Sequence, residues 1–183
     1  MRVLAVALAC VFGAVDTAPE PGLLTGCRIA NRINYDGRCF DVRWAKSRMP
    51  LQVYANELPL VEQAIDRINA ELGFSALAVW DMRRAPDVFV AVNVRPLTKR
   101  YNGGVTQHYY SEGRFVAAIA TWGNESAFTE YLVLLHEFGH VLGLAHDPRP
   151  ESMMFPRIPA EGHHAIALTG HDRQLLRGLY ALP

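Results

Sequence analysis

The sequence predicts one α+β domain organised around a single helix, and three observations carry that prediction. The first is a mainly apolar stretch free of Gly and Pro, Phe128 to Leu135, which runs directly into His136-Glu137-Phe138-Gly139-His140-Val141-Leu142-Gly143-Leu144-Ala145-His146-Asp147. The second is a succession of strand-like segments upstream, interrupted by one helical segment, Leu58 to Leu72. The third is size: 183 residues, half of them apolar, are enough to bury one proper core. Lys and Arg number 18 against 18 Asp and Glu, so the balance gives no footprint for nucleic acid or for an anionic membrane.

The amino terminus stands apart. Met1-Arg2 precedes an apolar and small-residue run, Val3 to Val15, that ends at Asp16-Thr17-Ala18-Pro19. One positive charge, a short apolar core and small residues beyond it read as an export leader over residues 1–18. The alternative reading of this run is an amino-terminal strand buried in the domain. Lipidation at Cys10 is disfavoured by Ala7 three residues before it. Beyond the leader no apolar run is long enough to span a bilayer.

Residues 19–48 read as an extension carrying a short hairpin. Cys27 and Cys39 lie twelve apart and flank the Tyr35-Asp36-Gly37 turn signal, so a disulfide between them could close the loop. In the chain-entropy model such a closure contributes about 3 kcal/mol. The alternative is two unpaired thiols.

The domain proper is expected over residues 49–183. Met49 to Ala55 alternates as a strand does. In Leu58 to Leu72, Val61, Ala64, Ile65, Ile68 and Leu72 form one apolar helix face, and Gly73 stops it. Ala76 to Trp80 and Asp87 to Val94 are the next strands. The Val88-Phe89-Val90-Ala91-Val92 run is continuous enough for the middle of a sheet. Arg95 to Gly104 reads as a loop. Gly104 to Gln107 and Arg114 to Trp122 then read as a hairpin around Ser111-Glu112-Gly113, with His108 in the loop.

The His136 to Asp147 stretch carries the chemistry. Residues i and i+4 share a helix face, so His136 and His140 can present ring nitrogens to one point. Zinc takes such nitrogens at about 2.0–2.1 Å in a tetrahedral array, and a catalytic site leaves one position open for water. Gly143 can adopt the left-handed conformation that ends a helix, which lets the chain return His146 as a third ligand. Glu137 sits to one side, where a carboxylate can accept a proton from water without becoming a ligand.

The pattern H-E-x-x-H-x-x-G-x-x-H-D resembles the zinc-binding consensus of the metzincin metallopeptidases. Ser152-Met153-Met154-Phe155-Pro156, beginning six residues after His146, resembles the Met-turn of the matrixins, with Met154 beneath the metal. The tail from Leu168-Thr169-Gly170-His171-Asp172 to Leu179-Tyr180 is similar to the closing helix of matrixin catalytic domains, and Thr169 to Asp172 matches a capping box. Asp147 is similar to the adamalysins, where matrixins usually carry Ser.

The resemblance implies a zincin-like α+β fold: a twisted mixed sheet, an active-site helix, a Met-turn and a carboxy-terminal helix. It implies a secreted zinc endopeptidase acting on polypeptide, with one catalytic Zn²⁺ on His136, His140 and His146 and with Glu137 as the general base. The strand before the active-site helix would border the cleft and run antiparallel to substrate. Phe115, Ala117 and Ile119 on that strand, with Phe155 and Pro156 after the Met-turn, would contact the peptide. His163 and His164 fall in the loop that shapes a specificity wall in the family. The propeptide cysteine pattern of matrixins is absent. Bound calcium is left open by the sequence, and a monomer without nucleic-acid partners or stable membrane insertion is expected. Two other classes fit the same residues: a zinc-stabilised peptide-binding module that does not cut, and an enzyme acting on a non-peptide amide. Asn124-Glu125-Ser126 is a glycosylation sequon, meaningful only in a eukaryotic secretory route.

Overall fold

The computed structural model describes residues 4–9, 32–35, 38–41, 44, 46–56, 58–83, 89–94, 104–111, 114–122, 127–156 and 168–180. Two short strands, β2 (Arg32–Tyr35) and β3 (Arg38–Asp41), pair antiparallel as the expected hairpin of the amino-terminal extension. Cys39 lies in β3, and Cys27, its expected partner, falls outside the described residues.

A six-stranded sheet forms the body of the domain. Its members are β1 (Leu4–Ala9), β4 (Leu51–Ala55), β5 (Leu77–Val79), β6 (Phe89–Val94), β7 (Gly104–Ser111) and β8 (Arg114–Trp122), in the order β1-β7-β8-β6-β4-β5. β5, β4, β6 and β8 run parallel to one another, whereas β7 is antiparallel to β8 and β1 antiparallel to β7. β6 lies inside the sheet, as its unbroken apolar run required, with Val90 and Val92 fully buried. Residues 4–9, read from sequence as part of a leader, here form a strand along the outer side of β7.

This topology corrects two expectations. Phe115 to Thr121 was expected as the free edge beside the cleft. It lies instead in β8, paired with β7 on one side and β6 on the other, so its main chain has no open ladder for a peptide. His108, placed in a loop from sequence, lies within β7 opposite Ala118.

α1 (Leu58–Leu72) crosses over between the parallel strands β4 and β5. Val61, Ala64, Ile65, Ile68 and Leu72 are all buried, as the helical period predicts. Gly73 ends the helix at φ 75°, and its N–H bonds to the Asn69 carbonyl at 2.9 Å. The Asn69 side chain then pins the return into β5: its Oδ1 accepts from Ala76 N and Leu77 N, and its Nδ2 donates to Leu77 O. α2 (Ala127–Val141) packs against α1, β7 and β8, and α3 (Gly170–Tyr180) closes against α1. Among the described residues no helix is long and apolar enough to cross a membrane.

Candidate active site

α2 is apolar almost all round near its end, and residues 132 to 144 are buried without a break. A buried helix end must satisfy its last carbonyls internally. Gly143 makes this possible with φ 103°: its N–H bonds to His140 O and the Leu144 N–H reaches Gly139 O, both at 2.9 Å. This pair of bonds is the Schellman arrangement. Trp44 Nε1 donates to Val141 O at 2.6 Å, and the Tyr180 hydroxyl donates to Leu142 O at 2.8 Å. The helix end is thus gripped from both ends of the domain, and the chain reverses as the sequence predicted.

The reversal brings His146 to His136 and His140, with one nitrogen of each ring within 4.8 Å of the others. His136 Nδ1 lies 2.7 Å from Met153 O, and His140 Nδ1 lies 2.7 Å from Leu144 O. A carbonyl oxygen only accepts, so in each neutral ring Nδ1 carries the hydrogen and Nε2 keeps its lone pair for a metal. Burial, then the neighbouring His146, pushes His136 down to about 3 against smaller opposing effects of the Met153 carbonyl and Asp172. Burial alone brings His146 to about 4. Both rings are therefore neutral near pH 7, the form that ligates. Three imidazoles converging on one point fit the nitrogen preference of Zn²⁺.

The floor of the site depends on one glycine. Met154 is 1 % exposed, and a Cβ at Gly139 would lie 2.3 Å from its Sδ. Only glycine between the two helix histidines lets the methionine turn approach this closely. The turn is held from below by Asp172. Its carboxylate accepts from Ser152 Oγ at 2.6 Å, Met153 N at 3.3 Å, Thr169 N at 2.9 Å and Thr169 Oγ1 at 2.7 Å. The Asp172 N–H in turn bonds to Thr169 Oγ1 at 3.2 Å, so the capping box is closed in both directions. Asp147 N donates to Met154 O at 2.9 Å, and its carboxylate takes the Arg149 guanidinium. That guanidinium holds the Asp147 carboxyl below the usual carboxylate range.

Glu137, next to His136 in the chain, is fully buried and meets β7. Thr106 Oγ1 lies 2.5 Å from Glu137 Oε2, and a Cβ at Gly104 would lie 2.3 Å from Oε1. Neither Gly104 nor Thr106 was anticipated from sequence, and the tie between Asp172 and the methionine turn was seen only as a helix cap. Phe155 and Pro156 follow Met154 and are half-buried. Phe115, Ala117 and Ile119 lie in β8, opposite Tyr110, Tyr109 and Gln107 of β7. His171 opens α3 with Nε2 3.5 Å from Asp147 Oδ2, while His163 and His164 fall outside the described residues.

A three-histidine cradle at the end of a buried helix, floored by a methionine turn and set on this mixed sheet, defines a metzincin-type fold. Comparison of the sequence with known families narrows the class: a model of the matrixins matches residues 44–181. The chain belongs to the matrixin family, whose members are zinc metalloproteases. The matched range begins at Trp44, whose ring is buried in the core. Human neutrophil collagenase is 33% identical over 86 residues, 43% of this chain and 18% of the relative. Macrophage metalloelastase of Rattus norvegicus is 28% identical over 88 residues, 44% of this chain and 19% of the relative. Human matrix metalloproteinase-20 is 34% identical over 55 residues, 30% of this chain and 11% of the relative. The alignments therefore span less than a fifth of each of these relatives.

Proposed function

We propose that the protein is a secreted zinc endopeptidase that hydrolyses peptide bonds in polypeptide substrates. The observation that carries the reading is the convergence of His136, His140 and His146, two of them oriented through Nδ1, with Glu137 next to the first of them in the chain. His136, His140 and His146 would hold a zinc ion, which would supply the Lewis acidity to polarise a scissile carbonyl and acidify the attacking water. The remaining work falls to the chain. A carboxylate oxygen of Glu137 accepts the proton released by the water as its oxygen bonds to the carbonyl carbon. Glu137 then delivers that proton to the amide nitrogen as the carbon–nitrogen bond breaks, leaving an amine and a carboxylic acid whose remaining proton passes to the amine or to solvent. Met154 packs beneath the ligands and takes no part in proton transfer.

Export follows from the leader reading of residues 1–18, and the mass of the mature amino terminus tests it. Phe155 and Pro156, next to the methionine turn, are the described residues offered as a wall for the peptide.

The central test is cleavage of a denatured general protein substrate by the zinc-loaded chain, by the chelated chain and by Glu137→Ala. We expect one zinc per chain in the wild type and in Glu137→Ala, with cleavage only in the wild type. An active Glu137→Ala protein, or a chain that binds no zinc, overturns the reading. Stoichiometric zinc with peptide affinity and no turnover puts the chain in the class of silent peptide-binding modules.

A further inference from the structure

β7 touches the proposed general base through two alternate residues. Side chains alternate along a strand, so Gly104 and Thr106 occupy the same face of β7. Gly104 contributes space: a Cβ there would lie 2.3–2.6 Å from Oε1, Cγ and Cδ of Glu137. Thr106 contributes a donor. Its hydroxyl oxygen lies 2.5 Å from Glu137 Oε2 and 3.2 Å from the Glu137 backbone carbonyl. A hydroxyl has one proton, and a carboxylate is the stronger acceptor, so the proton goes to Oε2.

We propose that Thr106 is a positioning residue for Glu137, its hydroxyl holding the carboxylate in the slot that Gly104 leaves open. The proposal rests on the peptidase reading of Glu137. A glutamate side chain has several rotatable bonds, and an unrestrained carboxylate spends much of its time away from a reactive geometry. Thr106 is suited to restrain it. It is β-branched and therefore stiff at χ1, it is fully buried, and its strand is held by the long antiparallel pairing with β8, where Thr106 stands opposite Ala120. Its hydroxyl direction is thus fixed before substrate arrives.

The test compares the zinc-loaded wild type with Thr106→Val, Thr106→Ser and Thr106→Ala, and with Thr106→Val combined with Glu137→Ala. Zinc content, thermal midpoint, kcat and KM are measured for each. Thr106→Val and Thr106→Ala should keep one zinc per chain and KM within about twofold, with kcat down roughly ten- to a hundredfold, the span of a hydrogen bond to a charged group. Thr106→Ser should restore most of the rate, because it keeps the hydroxyl. With Glu137→Ala present, Thr106→Val should shift the thermal midpoint by a different amount than it does in the wild type, so that the midpoints couple by more than the scatter of the measurement.

An unchanged kcat in Thr106→Val, a loss confined to KM, or no coupling with Glu137 overturns the proposal. A faster Thr106→Val overturns it too, since the hydroxyl would then be a latch that withholds the base. The midpoints separate the two possible failures. Coupled midpoints with an inactive wild type defeat the peptidase reading, and the positioning role with it. An active wild type whose kcat ignores Thr106 defeats the positioning role alone.

Discussion

Replacing Asp172 by alanine should both destabilise the protein and weaken its hold on metal. The carboxylate is fully buried and accepts four hydrogen bonds, two from Ser152 and Met153 in the methionine turn and two from Thr169 at the start of α3. Truncation strands two buried donors, the Ser152 hydroxyl and the Met153 N–H, at about 1–3 kcal/mol each. Loss of the reciprocal cap adds about 1 kcal/mol, less than a buried bond because Thr169 is partly exposed and water can replace its partner. The total, about 3–7 kcal/mol, is a large share of the roughly 5–15 kcal/mol that holds a domain folded.

The effect should reach the metal through one residue. Met153 donates its N–H to Asp172 and accepts the His136 Nδ1 hydrogen at its carbonyl. A loosened turn releases that ring, and lost support behind a ligand typically costs about ten- to a hundredfold in metal affinity. Asp172→Asn provides the control. Its amide oxygen can take the three donors on Oδ2, and its NH₂ can face Ser152 Oγ, which retains acceptor capacity beside its bond from Met154 N. Asp172→Asn should therefore stay within about 1–2 kcal/mol of the wild type. Chemical denaturation and competitive zinc titration measure both effects. An Asp172→Ala protein as stable as Asp172→Asn, with unchanged zinc affinity, would refute the reasoning.

Two further perturbations bear on the same site. His136 and His146 have folded pKa values of about 3 and about 4, below the roughly 6.5 of the unfolded chain. Their contribution to stability is present above about pH 6.5 and is lost as pH falls towards the folded values. Metal-free protein should then lose about 2 kcal/mol per histidine between pH 6.5 and 5, and stability that stays flat over this window in denaturant titrations refutes the burial. Gly139→Ala gains about 1 kcal/mol of helix propensity but drives a Cβ to 2.3 Å from Met154 Sδ. Overpacking costs about 1–3 kcal/mol, so net destabilisation with weaker zinc binding is expected. A Gly139→Ala protein more stable than the wild type would show that the methionine yields freely.

What could be read from sequence and what could not divides along sequence distance. The metal ligands and the methionine turn fall between residues 136 and 154, and each step has a local cause: the helical period for His136 and His140, and Gly143 for the reversal. The limits of α1 were equally local, set by five apolar positions and Gly73. Strand order has no such local signal. β8 precedes α2 in the chain, and the family resemblance alone makes the strand before the helix the expected border of the cleft. Its near-continuous apolar run, Phe115 to Ala120, was in fact the pattern of a strand paired on both sides. β7, which does meet Glu137, continues past Gln107 through His108-Tyr109-Tyr110 to Ser111, a stretch that reads as loop from sequence although aromatic residues suit strands.

The same division explains why the ligands were legible and the surroundings of the base were not. Glu137 is named by its place in the motif, but its environment comes from Gly104 and Thr106, about thirty residues earlier on a strand of different direction. A glycine inside a strand is a signal that something approaches closely. It does not say what approaches, and a lone threonine on a strand says less. The motif thus specifies a metal cradle with a carboxylate nearby, while the fold decides how firmly that carboxylate is held. Proteins sharing the motif can differ in rate through residues of β7 that no motif contains, which is why the base should be probed from Thr106 as well as from Glu137.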